Sequence, residues 1–401
     1  MKHPPPASSP AEAKPTSPSP AIGAFRSGMG PLLGRVRDYA HELGIHALGI
    51  APAEPPAKSD ALLRWLRAGM AGDMRYLERD PQRRRNPRLY WPNARTLIVA
   101  AFSYAGPQAD PPRPPHFGRI ARYARGPDYH EPIKARLRRL GDLIRKDVPG
   151  SQNIAVSDSS AILERGHAAA AGLGWIAKNS MLLSRRLGSY TLLGVLLTDV
   201  DLETDGPTTS HCGSCTRCID ACPTRAIVEP GVVDARRCIS YHTIELKGEI
   251  PEAFRPHLSG WLFGCDICQE VCPWVRSAKA PPEGFFHPQA EPGAIDLETI
   301  LRDTPESFAE RWRKRPQKRA KRRGLARTAA TLLGNSPDRD EAVAVLARSG
   351  LTHDDALVRS HAVWSLGHLG GAKARRRLEC HERRETDAGV LAAIRRAKAR
   401  S

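Results

Sequence analysis

The spacing Cys212-x2-Cys215-x2-Cys218-x3-Cys222-Pro223 constrains this chain more than any other feature. It matches the bacterial run that holds a [4Fe–4S] cluster. Cys238 follows, and then Cys265-x2-Cys268-x3-Cys272-Pro273, the same run with its leading cysteine displaced upstream. Two-cluster ferredoxins exchange their last cysteines, which predicts Cys212, Cys215, Cys218 and Cys272 around one cluster. Cys222, Cys238, Cys265 and Cys268 are then expected around the other. Thiolates two residues apart in a tight loop reach neighbouring irons of one cube, and the longer gap before Cys-Pro turns the last thiolate towards the partner cube. Eight cysteines would also suffice for two zinc sites, but zinc modules rarely carry this spacing. Disulfides fit neither the spacing nor a reducing compartment. The ninth cysteine, Cys380, sits in a charged helical stretch and reads as a free thiol.

The rest of the chain is too large for a simple electron carrier. It has 401 residues, 41% of them hydrophobic, enough for two or three cored domains. The longest apolar runs, near Thr96–Phe102 and Thr191–Thr198, fall far short of the roughly 20 residues that span a bilayer. Met1–Pro20 holds seven prolines and no apolar core, so it is not read as a secretory signal. Residues 1–28 are expected to be a disordered lead, and the protein a cytoplasmic monomer. Lys and Arg total 61 against 43 Asp and Glu, a formal net charge of +18. Such an excess fits a nucleic-acid partner or a solvated basic face equally well.

Four zones follow the lead by composition and periodicity. Residues 29–206 interleave helical patterns (Pro31–Leu43, Pro132–Asp147) with strand patterns (Thr96–Tyr104, Asn153–Val156, Tyr190–Thr198), which predicts an α+β domain. Residues 207–285 carry the cysteines. Residues 286–323 read as a basic linker, with nine Lys or Arg among the thirteen residues of Arg311–Arg323. That run is either a phosphate-binding surface or a solvated connection. Residues 324–401 are helical. Leu325–Gly334 and Leu357–Gly367 resemble each other at a 32-residue offset, the signature of stacked, HEAT-like helix pairs that cap another domain.

In the first domain Asp158 follows a strand pattern, where a carboxylate can serve chemistry, but on these residues alone an N-cap for Ser159–Arg165 is the better reading. Tyr123 and His130 read equally as satisfied core or surface residues. No GxGxxG in a strand–helix context and no Walker A run is present, so nucleotide readings get no support.

The blocks RYARGPDYH (122–130), SDSSAILERG (157–166), GLGWIAKNS (172–180), CISYHTIELKGEIP (238–251) and LFGCDICQEVCPW (262–274), with the paired cysteine runs, resemble the epoxyqueuosine reductases over roughly residues 30–370. The resemblance implies reduction of the epoxide of epoxyqueuosine at the wobble position of transfer RNA, with cobalamin and two [4Fe–4S] clusters as cofactors. It implies a nitroreductase-like cobalamin-binding domain, a ferredoxin-like two-cluster domain and a HEAT-like tail that helps hold the RNA. A low-potential electron donor is implied without being identified. Carried over by position, Asp158 is the proton donor and lies beside the cobalamin, Arg165 lies near the substrate, and Arg84, Tyr123, Lys178 and Asn179 line the cobalamin. As a proton donor, Asp158 is expected to have its pKa raised by burial. Trp261 and Tyr241 are read either as stacking partners of RNA bases or as buried aromatics. Ala177 stands where the family usually has Gly, a cost if the backbone there is left-handed. Arg327-Thr328 replaces the usual Arg-Asn, and His130 is not read as a cobalt ligand. A two-cluster electron-transfer protein and a reductive-dehalogenase-like cobalamin enzyme are the competing readings. The latter typically carries an export signal and lacks a basic helical tail.

Overall fold

The computed structural model describes residues 29–106, 113–276, 278 and 293–399. The lead assigned to 1–28 and the first part of the 286–323 segment lie outside the described residues. Eleven strands are named in chain order: β1 (Ala47–Pro52), β2 (Thr96–Ser103), β3 (Phe117–Ile120), β4 (Asn153–Val156), β5 (Trp175–Ile176), β6 (Leu182–Leu183), β7 (Thr191–Thr198), β8 (Ile227–Glu229), β9 (Val232–Val233), β10 (Trp261–Phe263) and β11 (Ala294–Asp296).

The main sheet runs β1-β2-β7-β4, and every neighbouring pair is antiparallel. All eight residues of β2 are buried, because both faces of the sheet are covered. Side chains alternate along a strand, so Ile98, Ala100 and Phe102 enter one core while Leu97, Val99 and Ala101 enter the other. The first core is closed by helices Met29–Glu42 and His130–Asp147. The second helix presents Ile133, Leu137, Leu140 and Ile144, an i, i+4, i+7, i+11 stripe, each fully buried. It lies so close to β7 that a Cβ at Gly194 would come within 2.5 Å of Ile133 and 2.8 Å of Leu137. The opposite core is closed by Glu164–Ala170 through Ala168 and the following Ala171. Burial of each such Ile or Leu contributes about 1.5–3 kcal/mol, so this sandwich is the rigid platform on which the loops after the strands stand.

The expected divisions at 206, 285 and 323 do not separate independent units. Strand β3, from the first segment, pairs with β10 in parallel and with β11 in antiparallel fashion. One continuous core runs from Ile120 and Ala124 through Ile239, Trp261 and Phe263 to Leu325, Val363 and Ile394 in the tail. The stretch expected as a basic linker is built into this body. It forms β11, helices Leu297–Arg302 and Pro305–Arg311, a short turn of helix at Pro316–Ala320, and the start of helix Lys321–Leu333. Part of its charge is consumed internally. Arg311 pairs with Asp303, Arg319 with Glu245, Arg322 with Asp354 and Arg323 with Asp355.

The two similar tail stretches lie on helices Lys321–Leu333 and Ala356–Leu369. They pack against each other, with Ser365 donating its hydroxyl to Ala330 O at 2.8 Å. Asp355 and Asp387 cap the helices that follow them. Arg327 is wholly buried and joins this tail to the cysteine-bearing segment: its guanidinium donates to the carbonyls of His242, Leu246 and Gly248. Trp261 is also wholly buried, with the Arg119 guanidinium 4.0 Å over its ring. Tyr241 is 7% exposed, and its hydroxyl accepts the Asp73 backbone N–H at 2.8 Å. Neither ring is free to stack on a base, so the core reading of both is the correct one. No helix among the described residues is long and apolar enough to cross a membrane.

Candidate functional site

The cysteine runs fold as two short loop–helix units, with Arg217–Asp220 inside one and Ile267–Glu270 inside the other. Pro273 opens a further helical turn directly after Cys272, as proline favours the first helical position. Cys212, Cys215, Cys218 and Cys272 wall one cavity of about 60 Å³, together with Ala177, Lys178, Asn179 and Trp274. Cys265 and Cys268 lie in the electrostatic reach of Cys238, as does Cys222. Burial, reinforced by these neighbouring thiols, pushes the Cys238, Cys265 and Cys268 thiols up. So many sulfurs in such surroundings ionise together only around a cationic group. Thiols arranged in this way fit the larger inorganic core that the spacing of the two runs predicts. Donors also reach the sulfurs: Trp175 Nε1 to Cys212 Sγ at 3.4 Å and Ala226 N to Cys222 Sγ at 3.3 Å. Cys380 is exposed on a tail helix, where Arg384 donates to its sulfur.

Asp158 occupies the loop after β4. No helix begins at Ser159; the next one starts at Glu164, so Asp158 is not an N-cap. Its φ is +58°, in the left-handed region that Asp tolerates better than most residues. The side chain is 61% exposed. Its Oδ2 accepts the Tyr129 hydroxyl at 2.9 Å and lies 3.1 Å from His130 Nε2. His130 Nδ1 in turn lies 2.5 Å from Asp128 Oδ1, and its ring stacks on Tyr129 with centroids 4.3 Å apart. The expected upward shift of Asp158 is reversed. The His130 hydrogen bond, opposed by burial and helped by Tyr129, holds this carboxyl below its ordinary value. The proton is displaced onto His130, which the Asp128 hydrogen bond, followed by that of Asp158, raises to about 9. Glu164 is the carboxyl that burial does push up, to about 8.

The remaining candidates divide. Arg84 donates to Ser160 O and Tyr76 O on the Asp158 side, and its buried Nε has no partner. Tyr123 packs against Tyr129 and Phe263, where three cores meet. Arg165 donates to the Ser180 carbonyl and hydroxyl. Lys178 donates to Gly213 O at 2.7 Å and Cys215 O at 3.0 Å, and Asn179 to Cys268 O at 3.2 Å. The turn Ala177–Ser180 thus touches the helix beside Asp158 at one point and both cysteine loops at others. Lys178 and Asn179, expected along a cobalamin, are engaged with the cysteine loops. The left-handed residue of this turn is Ser180, at φ +67°, so Ala177 carries none of the strain anticipated for it.

Sequence reasoning gave no role to Glu164, Tyr129 or Tyr76, placed Arg319 only within the basic run, and left His130 as a core or surface residue that is not a metal ligand. Tyr76 is 38% exposed, with the Arg319 and Arg84 guanidinium groups 5.2 and 5.9 Å from its ring centroid. The available signals were the Asp128-x-His130 pair and the Glu164-Arg165 dipeptide beside Asp158.

Residues 211–275 match the family model described as a 4Fe-4S double cluster binding domain, and residues 84–159 match that of epoxyqueuosine reductase QueG, DUF1730. The epoxyqueuosine reductase of Gloeobacter violaceus is 41% identical over 318 residues, covering 77% of this chain and 98% of that protein. That of Pseudomonas aeruginosa is 38% identical over 340 residues, covering 84% and 94%. A crystal structure of epoxyqueuosine reductase with an epoxyqueuosine-modified tRNA-Tyr stem loop superposes with a TM-score of 0.83 at 29% identity, over 92% of this chain and 98% of that one. The Bacillus subtilis enzyme, solved with its catalytic aspartate loop swung out of the active site, gives 0.82 at 28% identity, over 92% and 99%.

Proposed function

The chain belongs to the epoxyqueuosine reductase family, and on that premise we propose that it reduces epoxyqueuosine in the anticodon loop of a transfer RNA to queuosine. The reaction consumes two electrons and two protons, turns the epoxide into an alkene and releases the oxygen as water. Cys212, Cys215, Cys218 and Cys272 would hold one [4Fe–4S] cluster, and Cys222, Cys238, Cys265 and Cys268 the other. Cobalamin, when bound, supplies a strongly reducing cobalt. Of the residues assigned to it, Arg84 fits through its unpartnered buried Nε, and Tyr123 through its place where the cores meet. Lys178 and Asn179 do not fit, because their polar groups are spent on the cysteine loops.

The protein's own part is proton supply and orientation. At neutral pH the proton of the His130–Asp158 pair sits on His130, held against the exposed Asp158 carboxylate, and this pair is placed to deliver it to a departing oxygen. Tyr129 and Asp128 orient the pair. The exposed Tyr76, flanked by Arg84 and Arg319, offers a base-stacking edge, and the exposed Arg313, Lys314, Lys318 and Lys321 offer phosphate contacts. The HEAT-like tail serves as the backing for that basic surface.

The observation that carries this reading is the turn Ala177–Ser180. It ties the helix beside Asp158 to both cysteine loops, so proton donor and electron source form one mechanical unit. The test is an anaerobic incubation of the cluster-loaded protein with epoxyqueuosine-containing transfer RNA, cobalamin and a low-potential reductant. Mass spectrometry of the digested RNA should show cobalamin-dependent loss of one oxygen. An intact epoxide with both clusters present would sink the reading in favour of an electron-transfer role.

A further inference from the structure

The loop carrying Asp158 is tethered at three points. Ser157 donates its hydroxyl to Leu193 O at 2.8 Å, anchoring the loop's base to β7. Arg84 donates to Ser160 O at 3.4 Å on its far side. The third tether acts on the acid residue itself: the Asp158 backbone N–H donates to Glu164 Oε1 at 2.6 Å. The left-handed φ of Asp158 turns that amide towards the first residue of the following helix. An extended or right-handed Asp158 would carry both the amide and the carboxylate to new positions.

We propose that Glu164 is a positioning residue, a latch that holds the Asp158 loop in the conformation that aims its carboxylate at His130 and Tyr129. The proposal rests on the proton-delivering role given above to the His130–Asp158 pair. Glu164 faces Asp158, His130, Tyr129 and Arg165. With its carboxyl raised to about 8, it is largely protonated at neutral pH. A neutral carboxyl still accepts the amide N–H through its carbonyl oxygen, and it spares Asp158 a second negative charge. Glutamine at this position keeps the acceptor and the neutrality; alanine stays neutral but removes the acceptor. Arg165, the next residue, does for Ser180 what Glu164 does for Asp158, so one helix start restrains two left-handed residues.

The experiment compares wild type, E164Q, E164A and D158N as full-length, cofactor-loaded proteins. Hydrogen exchange of peptides covering residues 157–163 is read at pH 7, with kcat and KM for the modified transfer RNA measured in parallel. E164A should exchange at Asp158 roughly tenfold faster or more, while E164Q stays within about threefold of wild type. The kcat of E164A should fall about tenfold or more, with KM changed less than about twofold and kcat largely restored in E164Q. Wild-type exchange in E164A, or E164Q behaving like E164A, would overturn the latch. If D158N turns over like wild type, the acid reading and the positioning role fall together; exchange that still tracks residue 164 distinguishes that result from a failed latch.

Discussion

His130 bridges two carboxylates, with Nδ1 2.5 Å from Asp128 and Nε2 3.1 Å from Asp158. Its folded pKa, about 9, exceeds the unfolded value near 6.5. The stabilisation it contributes is therefore fully present below about pH 6.5 and lost as pH rises through about 9. Asp128 and Asp158, both lowered, contribute stability above about pH 4 that is lost as pH falls. The difference in unfolding free energy between wild type and H130Q should be about 1–2 kcal/mol near pH 6, after allowance for solvent screening, and vanish near pH 10. A difference that ignores pH would show that His130 carries no extra proton.

D158N should load both clusters and bind cobalamin, yet turn over about 10²–10³-fold more slowly. It should also lower the pKa of His130, because one of the two anions flanking the ring is gone. Nuclear magnetic resonance titration of the ring reads the second effect independently of the first.

The cysteine grouping predicts a non-additive pattern. C212S and C272S should each take iron from about eight towards about four per chain, and the double variant should lose no more. C272S combined with C222S should lose nearly all of it. Iron analysis and electron paramagnetic resonance decide between this crossed arrangement and one in which each run serves its own cluster.

Arg327→Met leaves the carbonyls of His242, Leu246 and Gly248 buried without their cationic donor. The loss should be about 3 kcal/mol in chemical denaturation. Because these carbonyls follow Cys238, cluster retention should decline together with stability.

Replacing Lys314, Lys318 and Lys321 by Ala together should reduce the slope of log K against log salt for RNA binding by about 2 to 3. An unchanged slope would move the phosphate contacts to another surface.

What the sequence disclosed was whatever depends on short-range pattern. The helix at His130–Asp147 and strands β2, β4 and β7 came within two residues of their expected bounds, because the helix buries one stripe at helical spacing and β2 and β7 are apolar runs covered on both faces. The four cysteines that the spacing assigns to one cluster all line the cavity beside Lys178. Long-range partners were hidden. Nothing near Asp158 in sequence announces that His130, 28 positions away, would reverse its expected pKa shift. Nor do Trp261 and Tyr241 differ, as letters, from aromatics that stack on bases; only the core enclosing them decides. The pairing within the basic run was hidden for the same reason, since Glu245, Asp354 and Asp355, which neutralise part of it, lie far from it along the chain.

Strand β3 lies between β10 and β11, both made long after it. During synthesis the edge that β10 covers can close once Phe263 has emerged, but the edge that β11 covers stays open until Ile295 has left the ribosome. Every cysteine of the two runs, and Cys238 between them, is by then already outside. The sheet that joins the cysteine-bearing segment to the first domain is therefore completed only after the last of these cysteines is available, so iron and sulfide can meet all eight before that sheet is whole.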